Sequence, residues 1–352
     1  MKLPRLRLAF SLRTSLVLLT LVCLALVAFT YWLASVKRQK VAVALIESKG
    51  YFVTYGFPRS DGEFMVLLPE DEPPTRRWIV ERFGIDAVAE VRSVRPDVNA
   101  GGHPVREIVP ALRQLPQVRE LSLNSAPCTA DDLREMAQLS SLEGLSIEYV
   151  GLTSAGLAEL DALPRLKKLS LKSWTLNDDS LVGVAAISSL EDLSLRWCDV
   201  EGTGLAELAR MPRLKRLELM EVRIRETARG PFAVFRNVKA LCLRECSGIT
   251  RQTLESLAGS TTLEELTLSG GGSSPEIDDN WAPPLARLPK LRRLSLEMSK
   301  IDDEGLLALA EAPKLEYLAL TFSKVSAAGL ARFHVRRPDV DLGDCDIVKS
   351  GN

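Results

Sequence analysis

Proton or acyl transfer needs a convergent acid, base and nucleophile, and near neutral pH histidine is the side chain most often recruited. The 352-residue chain has two, His103 within GGHP and His334 near the carboxyl end, so a histidine triad or a histidine-rich metal centre lacks its parts. Both read as surface or capping residues. Gly270 to Gly272 form a glycine run, but no Gly-Lys-Ser/Thr follows it as a phosphate loop requires, and it reads as loop. Asp278, Asp279 and Asn280 lack EF-hand spacing, and Asp278 is accounted for as a helix cap. Cys23 lies in an apolar stretch, and Cys128, Cys198, Cys242, Cys246 and Cys345 show no C-x-x-C spacing, which predicts buried free thiols. These side chains point to no catalytic residue, no metal and no cofactor.

The chemistry left is recognition by exposed aromatic and charged side chains, and which of these share a face depends on the elements that carry them. Self-similarity supplies those elements. The pattern L/V-x-x-L-x-L/I begins at Val118, Leu142, Leu166, Leu190, Leu214 and Val238, 24 residues apart each time, then at Leu263, Leu291 and Leu315 after spacings of 25, 28 and 24. Counting the first hydrophobic residue as position 1, positions 4 and 6 alternate inward on a short strand, as do Leu121 with Leu123 and Leu193 with Leu195. Position 11 is apolar again. Position 12 is a helix N-cap type in most units: Thr129, Thr153, Asn177, Asp302 and Ser326, with Thr250 and Asp278 in the same role but displaced by insertions. A short return helix buries pairs such as Leu133 with Met136 and Leu306 with Leu309. One unit exposes most of its own leucines, so only stacking buries them. The predicted fold is an α/β solenoid, a curved horseshoe or arc with a parallel sheet on one side and short helices on the other. Two coils depart from the pattern: Arg225 stands at the cap position before RETARGPFAVF, predicting an irregular return segment, and GGGSSPEIDDNWAPP predicts a projecting loop containing Pro283-Pro284.

On such a sheet positions 3, 5, 7 and 8 face outward. Position 5 is small in most coils (Ser122, Ser146, Ser170, Ser194), a floor that a partner can approach closely. Beside it, positions 7 and 8 offer Glu148 with Tyr149, Lys172, Arg196 with Trp197, Arg244 with Glu245, and Phe322, the residue types that anchor protein interfaces. These eight are the candidate binding residues of the concave surface; scattered surface residues of a mixed-charge sheet would give the same sequence.

The amino terminus is built differently. Ser15 to Ala34 carries no charge, and at about 1.5 Å per residue a helix of that length matches a bilayer core. A signal peptide has an apolar region of about 7 to 15 residues and a small-x-small cleavage site, whereas Tyr31 and Trp32 occupy the exit here and suit the lipid interface, which favours an uncleaved anchor. Lys2, Arg5, Arg7 and Arg13 precede the stretch and Lys37, Arg38 and Lys40 follow it, a slim excess that points the amino terminus to the cytoplasm. The whole chain holds 45 basic and 46 acidic side chains; with those seven set aside, 38 basic face 46 acidic, so nucleic acid is a poor partner. After the anchor, Val41 to Ser48 prolongs the helix, YFVTYGF and EFMVLLP flank a hairpin turn, Thr75 caps a helix running to Arg82, Ile85 opens a divergent first strand, and Val340 with Leu342 forms a last edge strand.

With its consensus GL-x-x-L-x-x-x-P-x-L-x-x-L-x-L, the chain resembles the leucine-rich repeat superfamily with its ribonuclease-inhibitor-like fold, and LTSAGL at Leu152, IDDEGL at Ile301 and VSAAGL at Val325 are similar to bacterial repeats. The opening RLAFSLRTSLVLLTLVCL with KRQK after it resembles the anchors of bacterial membrane-bound members. The family commonly places Asn at position 9, whereas this chain has Ala126, Val150, Trp174, Cys198, Val222, Cys246, Gly271, Ser299 and Ser323, of which Cys198 and Cys246 fit the cysteine-containing variant. The expected layout is a cytoplasmic basic segment (1–14), a transmembrane helix (15–34), a juxtamembrane and capping region (35–84), the solenoid (85–345) and a tail (346–352). The resemblance implies a recognition scaffold and no particular partner; with the apolar stretch and its flanking cations, the expected protein is single-pass in the cytoplasmic membrane, its repeats outside, binding a protein or peptide without catalysis of its own. A self-associating envelope component, or the recognition subunit of a separate membrane enzyme, are the alternatives.

Overall fold

The computed structural model describes residues 12–58, 64–65, 74–97, 103–124, 128–148, 153–225, 237–271 and 274–345. Each repeat supplies a five-residue strand, such as Asp192–Arg196, in which positions 4 and 6 are buried and 3, 5 and 7 are partly exposed. Neighbouring strands pair parallel and in register, so Leu145, Leu169, Leu193 and Leu217 stand side by side as one hydrocarbon row, and Ile147, Leu171, Leu195 and Leu219 as a second. A strand slipped by one residue would turn both rows to water. The main sheet has thirteen strands, eleven of them parallel, from Glu90–Pro96 to Asp341–Cys345. The carboxyl-terminal edge strand begins at Asp341, with Val340 buried just before it.

The return segments match the cap pattern. Thr129, Thr153, Asn177, Thr250, Asp278, Asp302 and Ser326 each accept a backbone N–H bond from the following turn. The paired apolar residues behind them, including Leu133 with Met136 and Leu306 with Leu309, are fully buried. The residue after the cap position adds a bond between coils that the periodicity alone does not reveal. Glu201, at the cap position, makes no side-chain cap. The carboxylate of Asp178, one coil earlier, accepts instead from the N–H groups of Glu201 (2.6 Å) and Gly204 (2.9 Å). Asp279 accepts from Asp302 N–H at 2.9 Å, and Asp303 accepts from Ser326 N–H at 2.8 Å and its hydroxyl at 2.7 Å. The glycine of the GL pair makes room for this in three coils: a Cβ on Gly204, Gly305 or Gly329 would overlap the carboxylate of Asp178, Asp279 or Asp303.

Several local expectations change. Ile85–Ala87 is a 3-10 turn and the first parallel strand starts at Glu90, because that strand must align with Glu120–Asn124 beside it. The second helix runs Pro74–Phe83, so Thr75 lies inside its first turn rather than capping it. Pro283-Pro284 does not project: the pair forms the first turn of the helix Ala282–Ala286, with Pro284 and the neighbouring Trp281 buried. Proline fits there because the first-turn N–H groups have no intrahelical partner to lose. Arg225 ends a short strand, Arg223–Arg225, that pairs with Asp199–Glu201 in a separate two-stranded sheet. The irregular segment expected after it lies outside the described residues.

At the other end the first helix, α1, runs unbroken from Leu12 to Ser48. Its first two-thirds is exposed and apolar, whereas Val36, Ala42, Val43 and Ile46 are buried against the start of the solenoid. Strand β1 (Tyr51–Pro58) pairs antiparallel with Glu90–Pro96 and with β2 (Phe64–Met65), closing that edge of the sheet. Tyr51 is buried and donates to the His103 carbonyl at 2.8 Å; burial, aided by nearby Cys128, Glu107 and Asp132, raises its phenol to about 12.

The aspartate–glycine contact yields a test of unusual sign. Gly→Ala inside a helix ordinarily stabilises by about 1 kcal/mol. Gly329→Ala is expected to destabilise by about 1–3 kcal/mol, and much less once Asp303→Ala has emptied the space, in denaturant titrations of the solubilised chain. Bonds from Ser326 and then Arg332 hold the Asp303 carboxyl below its usual 3.8. Its contribution is therefore complete above pH 4 and lost as acid titrates it through its lower folded value; Asp303→Asn should flatten that acid limb.

Candidate recognition surface

The strands end at position 8, where the backbone turns out of the sheet. Trp197, Glu221, Glu245, Met298 and Phe322 all occupy that column, and all have positive φ, between 50° and 57°. Their N–H groups still serve the ladder, Trp197 donating to Met220 O at 3.2 Å and Glu221 to Arg244 O at 2.9 Å. A left-handed backbone favours Gly or Asn, and for a bulky side chain it costs on the order of 1 kcal/mol. The column therefore aims large side chains outward at the strand ends, beside the core rather than within it.

There the candidate residues of coils 142 to 214 converge. The indole of Trp197 stacks on that of Trp174, with centroids 5.3 Å apart and planes 12° from parallel. The ammonium of Lys172 sits 4.0 Å from the Trp197 ring centroid and 3.5 Å from Glu148 Oε2. Cation–π attraction and ion pairing act together on that one ammonium. Arg196 lies 3.9 Å from Glu218, whose carboxylate also accepts from Ser194 Oγ at 2.9 Å. Trp174 remains 68% exposed. Grooves of about 450 Å³ and 420 Å³ flank it, the first bordered by Trp197, Glu221, Arg223 and Glu245, the second by Asn177, Asp179, Asp199 and Arg225.

The remaining candidates separate. Arg244 reaches across an intervening strand to Glu297 at 2.8 Å, and Glu245 borders the groove beside Trp197. Phe322, 73% exposed, stands five strands from Trp197, about 24 Å at 4.8 Å per strand, and so belongs to a different part of the surface. Tyr149 lies outside the described residues. Trp174 was absent from the candidates because position 9 was read as an inward, turn-stabilising column. Its size was the available signal, since an indole does not fit where neighbouring coils hold Cys198 or Ser323.

At the opposite strand ends a groove of similar size is lined by Glu264, Lys290, Arg292 and Arg337, but Arg337 there donates to the carbonyls of Ala310, Ala312 and Leu315 and closes the last coil. His103 Nδ1 is 3.7 Å from Glu107 beside the first coil, while His334 lies on the last helix, so the two histidines do not meet. Among the described residues no three His, Cys, Asp or Glu side chains gather as a metal site.

Residues 186–209 and 287–310 match the family model described as Leucine Rich repeat. These coils are leucine-rich repeats. Among solved structures, the repeats share 20% identity with a leucine-rich repeat protein of Leptospira interrogans (TM-score 0.45, covering 66% of this chain and 56% of that one). They share 18% with the internalin inlF of Listeria monocytogenes (TM-score 0.42, 68% and 70%) and 20% with its internalin C2 (TM-score 0.40, 60% and 82%). The chain thus spans little more than half the length of the first of these. Among curated proteins nothing matches.

Cys128, Cys198, Cys242 and Cys246 are free thiols, and Cys128, Cys198 and Cys246 are buried. Burial is the main cause that raises Cys128, Cys198 and Cys246 to about 12 and Cys242 to about 11. Because the thiolate is the reactive form, a disulfide reagent at pH 8 should label these four slowly in the native chain and promptly in denaturant. Rapid native labelling of Cys198 or Cys246 would contradict the packing of position 9.

Proposed function

We propose that this chain is a membrane-anchored recognition protein whose leucine-rich repeats bind a protein or peptide at the strand-end rim around Trp174, Trp197, Lys172 and Glu148, with no catalysis of its own. The stacked tryptophan pair carries this reading. One indole is largely in water and the other sits on a left-handed backbone, and neither arrangement benefits the core. Exposed Trp beside paired charges gives an interface an apolar anchor with a polar rim, and Glu245, Arg196 and Arg244 extend that rim along the sheet. Solenoids generally present extended surfaces of this kind to partners.

An uncleaved anchor agrees with α1, whose apolar stretch runs directly into residues packed on the repeats. The excess of cations before the stretch favours the repeats lying outside the cytoplasmic membrane.

A photo-crosslinking aromatic residue placed at position 174 in intact cells should yield one dominant adduct with a foreign protein, and the same probe at Glu255 on the helical side should not. Trp174→Ala with Trp197→Ala should weaken that partner by about thirtyfold or more while the melting temperature holds. An adduct of two copies of this chain would favour lateral association instead, and unchanged affinity would remove the rim from the site.

A further inference from the structure

Helix α2 (Pro74–Phe83) has no part in the repeats, yet a chain of rings ties it to the end of the apolar segment. Phe29 stacks on Trp32 at 5.6 Å, Trp32 meets Phe83 edge-on at 5.3 Å, and Phe83 meets Trp78 edge-on at 6.2 Å. Polar bonds fix the same junction: Gln39 Nε2 donates to Asp86 at 3.1 Å and to the Ala89 carbonyl at 2.7 Å. The Lys40 side chain lies against Gly84, which follows α2 at φ 89°.

Trp32 falls where the uncharged stretch ends, so in a bilayer it sits at the headgroup boundary, and Trp78 is only two ring contacts from it. The headgroup layer is itself about 5–7 Å deep on each side. Ile79, Val80 and Phe83 are partly buried on the inner side of α2, whereas Arg77, Trp78, Glu81 and Arg82 are exposed. Trp78, 60% exposed, and Arg82 are one turn apart and share a face. On α1, Lys37 and Arg38 are exposed close by. An exposed indole among cations, next to the exit of an apolar helix, has the chemistry of an interfacial anchor: the ring prefers the headgroup boundary and the cations its phosphates.

We infer that α2 lies on the outer surface of the membrane that α1 enters, with Trp78 in the headgroup layer and Arg77 and Arg82, together with Lys37 and Arg38, on phosphate groups of anionic phospholipid. This inference rests on the anchor proposed above and goes beyond it. A span alone leaves the solenoid free to rotate about the span axis and to tilt; a second contact, rigidly joined to the first, fixes the plane of the repeats against the membrane.

The test uses the full chain reconstituted in phosphatidylcholine vesicles with and without phosphatidylglycerol. With Trp32, Trp174 and Trp197 changed to Phe, emission comes from Trp78 and the buried Trp281, and adding Trp78→Phe gives the blank. Lipids brominated high on the acyl chain should quench most of the Trp78 emission, and those brominated near the chain end much less. Quenching should strengthen with phosphatidylglycerol and fall in Arg77→Glu with Arg82→Glu, circular dichroism being unchanged. An unquenched Trp78 in a chain that resists alkaline carbonate extraction overturns the placement of α2 and leaves the anchor standing. A chain that carbonate extracts overturns both, and quenching indifferent to phosphatidylglycerol and to the arginine changes overturns the phosphate contacts.

Discussion

No single coil of this protein can bury its own leucines. Each has a strand with two inward side chains and a return helix with two more, and every one would face water without the coil on either side. Fully burying a leucine stabilises by about 1.5–3 kcal/mol, so the interface between adjacent coils, and not the coil, is the unit of stability. That constraint explains the in-register ladder, since only parallel strands with no slip keep Leu193 beside Leu169 and Leu217. It also explains the ends. The first edge is closed by β1 and the last by Asp341–Cys345, with the Arg337 guanidinium holding three carbonyls of the coil beneath it.

The same constraint governs the polar groups. A helix that begins once in every coil leaves N–H groups without intrahelical partners, and the chain meets them from two directions. The cap residue serves its own helix, and where an aspartate follows it, at Asp178, Asp279 and Asp303, that carboxylate serves the helix of the next coil, at the space its glycine leaves open. The GL pair of the consensus is therefore a contact between coils, with leucine for the core and glycine for the neighbour's carboxylate. The turn after the strand is met similarly. Where the family commonly has Asn at position 9, this chain satisfies the turning backbone largely by bonds between coils, such as Arg223 N–H to Cys198 O at 2.9 Å and Ser247 N–H to Val222 O at 3.1 Å. In that column Cys246 Sγ donates to the Leu219 carbonyl at 3.3 Å, whereas the buried hydroxyls of Ser299 and Ser323 have no hydrogen-bond partner.

Columns were legible in the sequence because a period of 24 maps chain position onto spatial position. Inward leucines, cap residues, the small floor of position 5 and the last edge strand all follow from counting. Contacts that run from one column to a different column of the next coil were not legible: the reach of Asp178 to Glu201 and Gly204 depends on the offset between coils, which spacing does not encode. Trp174 was missed for a related reason, since its column was assigned by what most coils hold there and the side chain that does not fit is turned outward. Pro283-Pro284 was read as loop because proline breaks helices, although at a first turn it is tolerated. Phe322 shares a column with Trp197, but a column is a line along the sheet and four strands lie between them.

The junction between α1 and the repeats bears on recognition as directly as the rim does. From Leu12 to Ser48 the helix has neither glycine nor proline, and one face of its last turns, with Ala42, Val43 and Ile46, is buried against the first coils. A flexible tether would let the rim sample many orientations, and a partner fixed in the same membrane would lose that freedom on binding, at an entropic cost added to every association. In the proposed membrane arrangement, a continuous helix locked by Gln39 and the Trp32–Phe83 contact, with α2 against the bilayer, would have lost it in advance. An attachment of the kind proposed would select among partners by height and bearing as well as by side-chain chemistry. Rigidity at the amino-terminal end and outward indoles at the strand ends are thus two parts of one arrangement, because a preformed rim gains most when its position is preformed too.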